Sequence, residues 1–179
     1  AAQRVASDLA ACKHGKEDAW KPITEFLKAS RFGDSIKISK LLENNPQLDV
    51  NCGRDMMGNS PLVLAVKNDH AEVVESLLGR VPLKSMREAL LLSISMDHNH
   101  ISEIIINHPR YQQNTKRTSG QVSPRSESME MTLDVVTSDT LFAAEITPLV
   151  LAAQRNQFEI VKMLLAMGET IEEPHHPYC

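Results

Sequence analysis

The sequence predicts an all-α fold, a solenoid of about four short helical hairpins lying side by side, and two observations predict it. First, one pattern occurs twice with identical spacing. Ser60-Pro61-Leu62-Val63-Leu64-Ala65, then Asn68-Asp69-His70, then Glu72-Val73-Val74-Glu75-Ser76-Leu77-Leu78 is matched by Thr147-Pro148-Leu149-Val150-Leu151-Ala152, then Arg155-Asn156-Gln157, then Glu159-Ile160-Val161-Lys162-Met163-Leu164-Leu165. Second, the apolar residues closing each copy, such as Val73, Val74, Leu77 and Leu78, fall on one stripe of a helix. A hairpin of this size cannot hide such a stripe alone, so copies must pack against copies.

Each part of the pattern has a physical task. Ser60 and Thr147 cap a helix start, their hydroxyls accepting a backbone N–H that has no intrahelical partner. Pro61 and Pro148 follow at the first helical position, where a missing N–H costs nothing. Ala65 and Ala152 are small enough for neighbouring helices to come close. Asn68-Asp69 and Arg155-Asn156 turn the chain between helices, and Asp and Asn tolerate positive φ better than most residues. The pattern Thr-Pro-Leu-x-x-Ala with a later Val-x-x-Leu-Leu is similar to the ankyrin repeat.

Two weaker copies follow from the strong ones. Ala29 lies 36 positions before Ala65, with Gly33-Asp34 at the turn and Ile38, Leu41 and Leu42 on the stripe. Ser93 lies 28 positions after Ala65, with Asp97-His98 at the turn and Ile101, Ile105 and Ile106 on the stripe. An ordinary repeat is about 33 residues long, so the connection before the third hairpin is short. Residues 24–108 thus hold repeats 1–3 and residues 146–173 repeat 4. Asp49 to Asn59 reads as a finger between hairpins, Asp55 and Gly58 bracketing a turn with Gly58 at positive φ.

Two stretches lie outside the pattern. Residues 1–23, with Val5, Leu9 and Trp20 among polar side chains, read as a helix capping the open end of the row. Residues 109–145 read as a long, partly disordered insertion before the last hairpin, rich in Ser, Thr and Gln, with Pro109 and Pro124 as helix breakers. Met131 to Phe142 is more apolar and reads as a segment packing back onto the hairpins.

Composition narrows the function classes. A net charge of −4 and 4% aromatic residues speak against a nucleic-acid partner. Apolar runs are far shorter than the roughly 20 residues of a membrane span, and Arg4, Asp8, Lys13 and Lys16 interrupt any signal-peptide core. The first residue is Ala1 rather than Met, the mark of a fragment or a processed form. Cys12, Cys52 and Cys179 are too few and too scattered for a disulfide framework, which fits a reducing compartment.

No catalytic motif stands out. There is no Gly-rich phosphate loop, no Gly-x-Ser-x-Gly and no His-Glu-x-x-His, so an enzyme is not expected. His98, His100 and His108 crowd the third hairpin. Imidazole is a common metal ligand, but His98 falls on the turn, and the simpler reading leaves the other two exposed. Ser123-Pro124, near Lys116, Arg117 and Arg125, offers a phosphorylation site; a plain solvated loop explains the same residues. In the tail, His175 and Cys179 are spaced as two zinc ligands could be, although a structural site needs four.

Beyond the repeat itself, Asp49-Val50-Asn51-Cys52, Met57-Gly58-Asn59-Ser60-Pro61-Leu62, Glu88-Ala89-Leu90-Leu91-Leu92-Ser93-Ile94, Ile146 to Ala153, Phe158-Glu159-Ile160-Val161 and Ile171-Glu172-Glu173-Pro174-His175 resemble the N-terminal ankyrin region of the C subfamily of transient receptor potential cation channels. The resemblance covers about residues 25–179 and includes the shortened third hairpin and the insertion before the fourth. It implies that residues 174–179 open a His-Cys-Cys-Cys zinc site. His175 and Cys179 would be the first two ligands of this partial motif, with the others outside the chain. No cofactor is therefore expected in the chain alone, and zinc is expected only in the full-length protein.

The function implied is that of a cytoplasmic assembly and regulatory domain of a calcium-permeable, non-selective cation channel. It would lie on the inner side of the plasma membrane as part of an integral membrane protein. The implied partners are the other subunits of a tetramer and the channel's own membrane-proximal and C-terminal helices. Exposed finger residues, namely Arg54, Asp55, Met56 and Met57, are the expected protein contacts. The alternative is a free-standing soluble ankyrin adaptor.

Overall fold

The computed structural model describes residues 20–46, 48–51, 53–118, 142 and 146–170, and these residues are all-α: nine helices and no strand among them. The chain divides into two compact units, residues 1–85 and 86–179.

The first unit holds two hairpins. Helices α1 (Trp20–Phe32) and α2 (Ser35–Asn44) make the first, α3 (Pro61–Lys67) and α4 (Ala71–Leu78) the second. α1 packs on α3 and α2 on α4, so the hairpins lie next to each other. Their shared interior is Phe26, Ala29, Ile38, Leu62, Ala65, Val66, Val73, Val74, Leu77 and Leu78. The expected boundary at residue 23 moves back, because α1 starts at Trp20. Pro22 does not prevent this: in the first turn of a helix no N–H is required. Residues 1–19, expected to be a capping helix, lie outside the described residues.

In the second unit, α5 (Leu83–Ser95, which starts just before the boundary) and α6 (Asn99–Asn107) form the third hairpin. α8 (Pro148–Gln154) and α9 (Phe158–Ala166) form the fourth. α9 packs on α6. Between them lies a helix that the sequence reading missed, α7 (Pro109–Thr118), which packs on α6. Pro109 opens this helix rather than breaking a structure, since it occupies the position where proline's fixed φ suits a helix. Tyr111, one turn in, is buried and anchors it. The rest of the expected insertion, apart from Phe142, lies outside the described residues.

All four hairpins turn in the same way. Gly33, Asp69, Asp97 and Asn156 have φ of 74°, 57°, 65° and 57°. The N–H of the next residue, Asp34, His70, His98 or Gln157, donates to the carbonyl of Ala29, Ala65, Ser93 or Ala152 at 3.0, 2.9, 2.9 and 3.0 Å. A left-handed residue here satisfies a carbonyl at the end of the first helix and starts the second at once. The expected caps are present as well: Ser60 Oγ accepts from the Val63 N–H at 3.3 Å and Thr147 Oγ1 from the Val150 N–H at 3.2 Å.

The third hairpin departs from the pattern in a compensated way. Ser93 stands at the Ala position and Ser102 where the second hairpin has Val74. Both serines are buried, and their hydroxyls meet at 2.8 Å, while Ser93 Oγ also donates to the Leu90 carbonyl at 2.9 Å. The two hydroxyls brought inside together supplement the backbone carbonyl that each can reach alone, so neither is left with an idle lone pair and donor in the core.

One expectation about the core fails. Of the fourth hairpin's stripe, Ile160 and Leu164 are buried, Val161 is half-buried, and Leu165 is 53% exposed. α9 is covered on the sides facing α6 and α8, and no described residue closes over the side that carries Leu165.

Candidate interaction surface

The finger of the first unit is built from short-range polar contacts, because its few apolar residues cannot form a core. At its base the Asn51 N–H donates to Asp49 Oδ1 at 2.9 Å, Ser85 Oγ donates to Asn51 Oδ1 at 3.2 Å, and Val50 is buried. Gly53 lies so close to α1 that a Cβ there would sit 2.8 Å from Ile23 Cγ2. Arg54 folds back to donate through Nη1 to the Asn51 carbonyl at 2.7 Å.

At the tip, Asp55, Met56, Met57 and Gly58 make the expected turn. The Gly58 N–H donates to the Asp55 carbonyl at 3.0 Å, and Gly58 has φ of 83°. The Asp55 carboxylate organises everything around it. Its Oδ1 accepts from the Met57 N–H at 2.9 Å and the Asn59 N–H at 2.8 Å, and its Oδ2 accepts from Asn59 Nδ2 at 3.0 Å. Lys67 Nζ, from α3, donates to Asn59 Oδ1 at 2.6 Å and closes the chain of contacts. Partial burial pushes the Asp55 carboxyl up, but the bonds from Asn59 and Met57, with the charge of Lys67, outweigh it and hold the group below the usual carboxylate range.

The four residues expected at the contact therefore divide by task. Asp55 is spent on the turn and Arg54, though exposed, is tied to the finger's base, whereas Met56 and Met57 stand at the apex 98% and 85% exposed. Asn59 and Lys67 were missed by sequence reasoning: Asn59 lies in the finger and Lys67 at the end of α3, so the two share no regular element whose period could have linked them.

The second unit has a different polar cluster. Tyr111 of α7 donates its hydroxyl to Glu169 Oε1 at 3.3 Å, just beyond Gly168 at φ 92°. Glu169 also accepts from the backbone of Leu149 at the start of α8, and Arg87 of α5 lies within electrostatic reach. Burial pushes the Glu169 carboxyl up more strongly than the Tyr111 bond, Arg87 and the Leu149 N–H pull it down. Burial, then the charge of Glu169, pushes the Tyr111 hydroxyl well above its ordinary range. This cluster clips α7 to the exit of the fourth hairpin.

The three histidines of the third hairpin also separate. His98 stands at the N-cap position of α6 without a capping bond from its side chain, and His100 is exposed, but His108, expected to be exposed, is half-buried just before α7. Its Nδ1 is enclosed with no hydrogen-bond partner among the described residues, and burial, followed by the Arg110 charge, lowers its pKa. Among the described residues no three His, Cys, Asp or Glu side chains gather as a metal site would need. His175 and Cys179, and with them Cys12, Cys52 and Ser123-Pro124, lie outside the described residues. No helix among the described residues is long and apolar enough to cross a membrane.

Comparison with known proteins agrees with this geometry. The Ankyrin repeat family matches residues 57–84 and 145–174, which carry the second and fourth hairpins. The chain is 40% identical over 157 residues, 86% of its length, to short transient receptor potential channel 3 of Homo sapiens. It is 33% identical to a transient-receptor-potential-like protein of Caenorhabditis elegans and 31% identical to short transient receptor potential channel 4 of Mus musculus, each again over 86% of the chain. These relatives are much longer: the chain spans 16% of the first and 14% of each of the other two. The human and mouse relatives are named as channels.

Proposed function

We propose, from the premise that this chain is an ankyrin-repeat domain homologous to the short transient receptor potential channels, that it is the cytoplasmic assembly and regulatory domain of a calcium-permeable, non-selective cation channel. The observation that carries the proposal is the 40% identity to short transient receptor potential channel 3 of Homo sapiens over 86% of the chain. That similarity reaches well beyond the residues 57–84 and 145–174 that make the repeats recognisable. A free-standing adaptor sharing only the ankyrin pattern would not be expected to match across the finger, the third hairpin and the insertion alike.

In this reading the domain lies on the inner side of the plasma membrane, joined to a pore that the present chain does not contain. It acts through protein contacts with neighbouring subunits of a tetramer and with membrane-proximal and C-terminal helices of the channel. The contacts of the finger run through Met56 and Met57, because the Asp55–Asn59–Lys67 network holds the tip in one shape and an ordered apolar tip loses little entropy on docking. Arg54 sets charge at the rim. On sequence resemblance alone, His175 and Cys179 supply two of four zinc ligands in the full-length protein, where thiolate and imidazole would hold the ion tetrahedrally.

The test uses the full-length channel. Met56→Ala with Met57→Ala is expected to reduce tetramer yield on native electrophoresis, or to change whole-cell cation current at unchanged surface expression. Normal assembly together with normal current would remove the finger from the contact. A parent coding sequence without hydrophobic spans would replace the channel reading with the adaptor reading.

A further inference from the structure

We infer that Met56 and Met57 form a site of reversible oxidation, at which a peroxide converts the apex of the finger from apolar to polar without unfolding the domain. Three features carry this. The first is access: the two thioethers are 98% and 85% exposed on adjacent residues, whereas Met86 is fully buried, Met163 and Met167 are half-buried, and Met96 is 40% exposed. The second is chemistry. A sulfur lone pair attacks one peroxide oxygen, the S–O bond forms as the O–O bond breaks, and the leaving hydroxide takes up a proton as water. Each thioether loses two electrons to the peroxide and becomes a polar sulfoxide that methionine sulfoxide reductases can return.

The third feature is the scaffold. The turn is held by the Asp55 backbone and carboxylate, which engage the N–H groups of Met57, Gly58 and Asn59, and by Lys67 on Asn59. Neither methionine side chain takes part in these bonds. Two sulfoxides can therefore be placed at the tip while the turn keeps its shape. Oxidation in a core would instead put a polar group where packing demands an apolar one.

Dilute hydrogen peroxide applied to the folded chain, followed by digestion and peptide mass measurement over time, tests the inference. Met56 and Met57 should each gain one oxygen at least about a hundredfold faster than Met86, which the oxidant reaches only in the small fraction of molecules opened locally. The helical circular dichroism should persist, and added sulfoxide reductases should remove both oxygens. Oxidation of Met56 and Met57 no faster than that of Met86, or loss of helix as they oxidise, would overturn it.

The consequence for docking rests on the function proposed above, and a second variant separates the two. In the full-length channel, Met56→Leu with Met57→Leu keeps an apolar apex and removes the sulfur, so whatever assembly this variant shows before treatment should be unaffected by peroxide, whereas peroxide should lower assembly of the native channel from its own untreated level. If the alanine pair leaves assembly unchanged, the docking reading fails while the mass increments at Met56 and Met57 still decide the oxidation site.

Discussion

The second and fourth hairpins carry nearly the same residues at the same spacing, yet they bury them differently. In α4 the whole stripe of Val73, Val74, Leu77 and Leu78 is inaccessible to solvent; in α9 the equivalent stripe is half covered, with Leu164 inside and Leu165 exposed. The hairpins also begin their second helices differently, with Ala71 in one and an exposed Phe158 in the other. Residue type sets what a repeat is able to bury, but the neighbours decide what it does bury. The same letters are therefore core in one place and surface in the other.

Truncation should magnify that contrast. Leu78→Ala and Leu164→Ala each remove a fully enclosed side chain and should cost about 2–5 kcal/mol, read as a lower urea midpoint. Leu165→Ala should cost under about 1 kcal/mol, as surface changes do. A Leu165 variant as damaging as the Leu164 variant would break the comparison.

The turns give a smaller contrast. His70 Nε2 donates to the Arg31 carbonyl at 3.0 Å, and its ring lies over Gly33, where an added Cβ would sit 2.6 Å from Nδ1. Gln157 makes the corresponding reach in the second unit, donating from Nε2 to the Ile94 carbonyl at 2.9 Å and to Asp97 Oδ1 at 2.8 Å. Gly33→Ala combines left-handed strain with a ring clash and should cost roughly 1–3 kcal/mol. Adding His70→Ala should recover the steric part alone. At Asn156 the same left-handed conformation lies open to solvent, and Asn156→Gly should change stability by only a few tenths of a kcal/mol. Thermal unfolding of the three variants checks both.

The hairpins were legible because their spacing is repeated and their turn and cap residues have chemical reasons to be there. The two weak copies became readable only through the strong ones. What stayed hidden depended on contacts between residues far apart in sequence. Nothing near Tyr111 announces Glu169, and a polar stretch opening on proline concealed α7. The finger's turn could be foreseen from Asp55 and Gly58, whereas its lock by Lys67 could not.

Ser93 shows how such hidden pairing makes a repeat look degenerate. Ser93→Ala leaves Ser102 with only the His98 carbonyl at 3.2 Å, and Ser102→Val strands Ser93 on the Leu90 carbonyl. Each should cost about 1 kcal/mol, while the double variant, which restores the Ala and Val of the second hairpin, should cost less than the sum. A strictly additive cycle would show that the two hydroxyls do not act as a pair.

The smallest expected effect is also the one that separates the units by sign. Asp55 has a folded-state pKa below its unfolded value of 3.8, so its contribution is fully present above that pH and is lost as pH falls through the lower folded value. Glu169 is shifted the other way, above 4.5, so its contribution is fully present below 4.5 and is lost as pH rises through the folded value. His108, just before α7, opposes Glu169: its lowered pKa favours folding above 6.5, a contribution that is lost as pH falls through the lower folded value. The comparison must therefore be made against variants rather than read from the native profile. Glu169→Gln keeps an acceptor for Tyr111 and leaves His108 in place, so the stability gap between native chain and variant should change as pH rises from 4 to 7, with the native chain losing ground. Asp55→Asn should show its deficit at neutral pH and lose it only below about 4. Site-resolved amide exchange in α7 and in the finger, corrected for intrinsic rates, reads the two separately. Profiles of the same sign in both places would mean that burial does not dominate at Glu169, and that the two clusters hold their carboxyl groups in the same way.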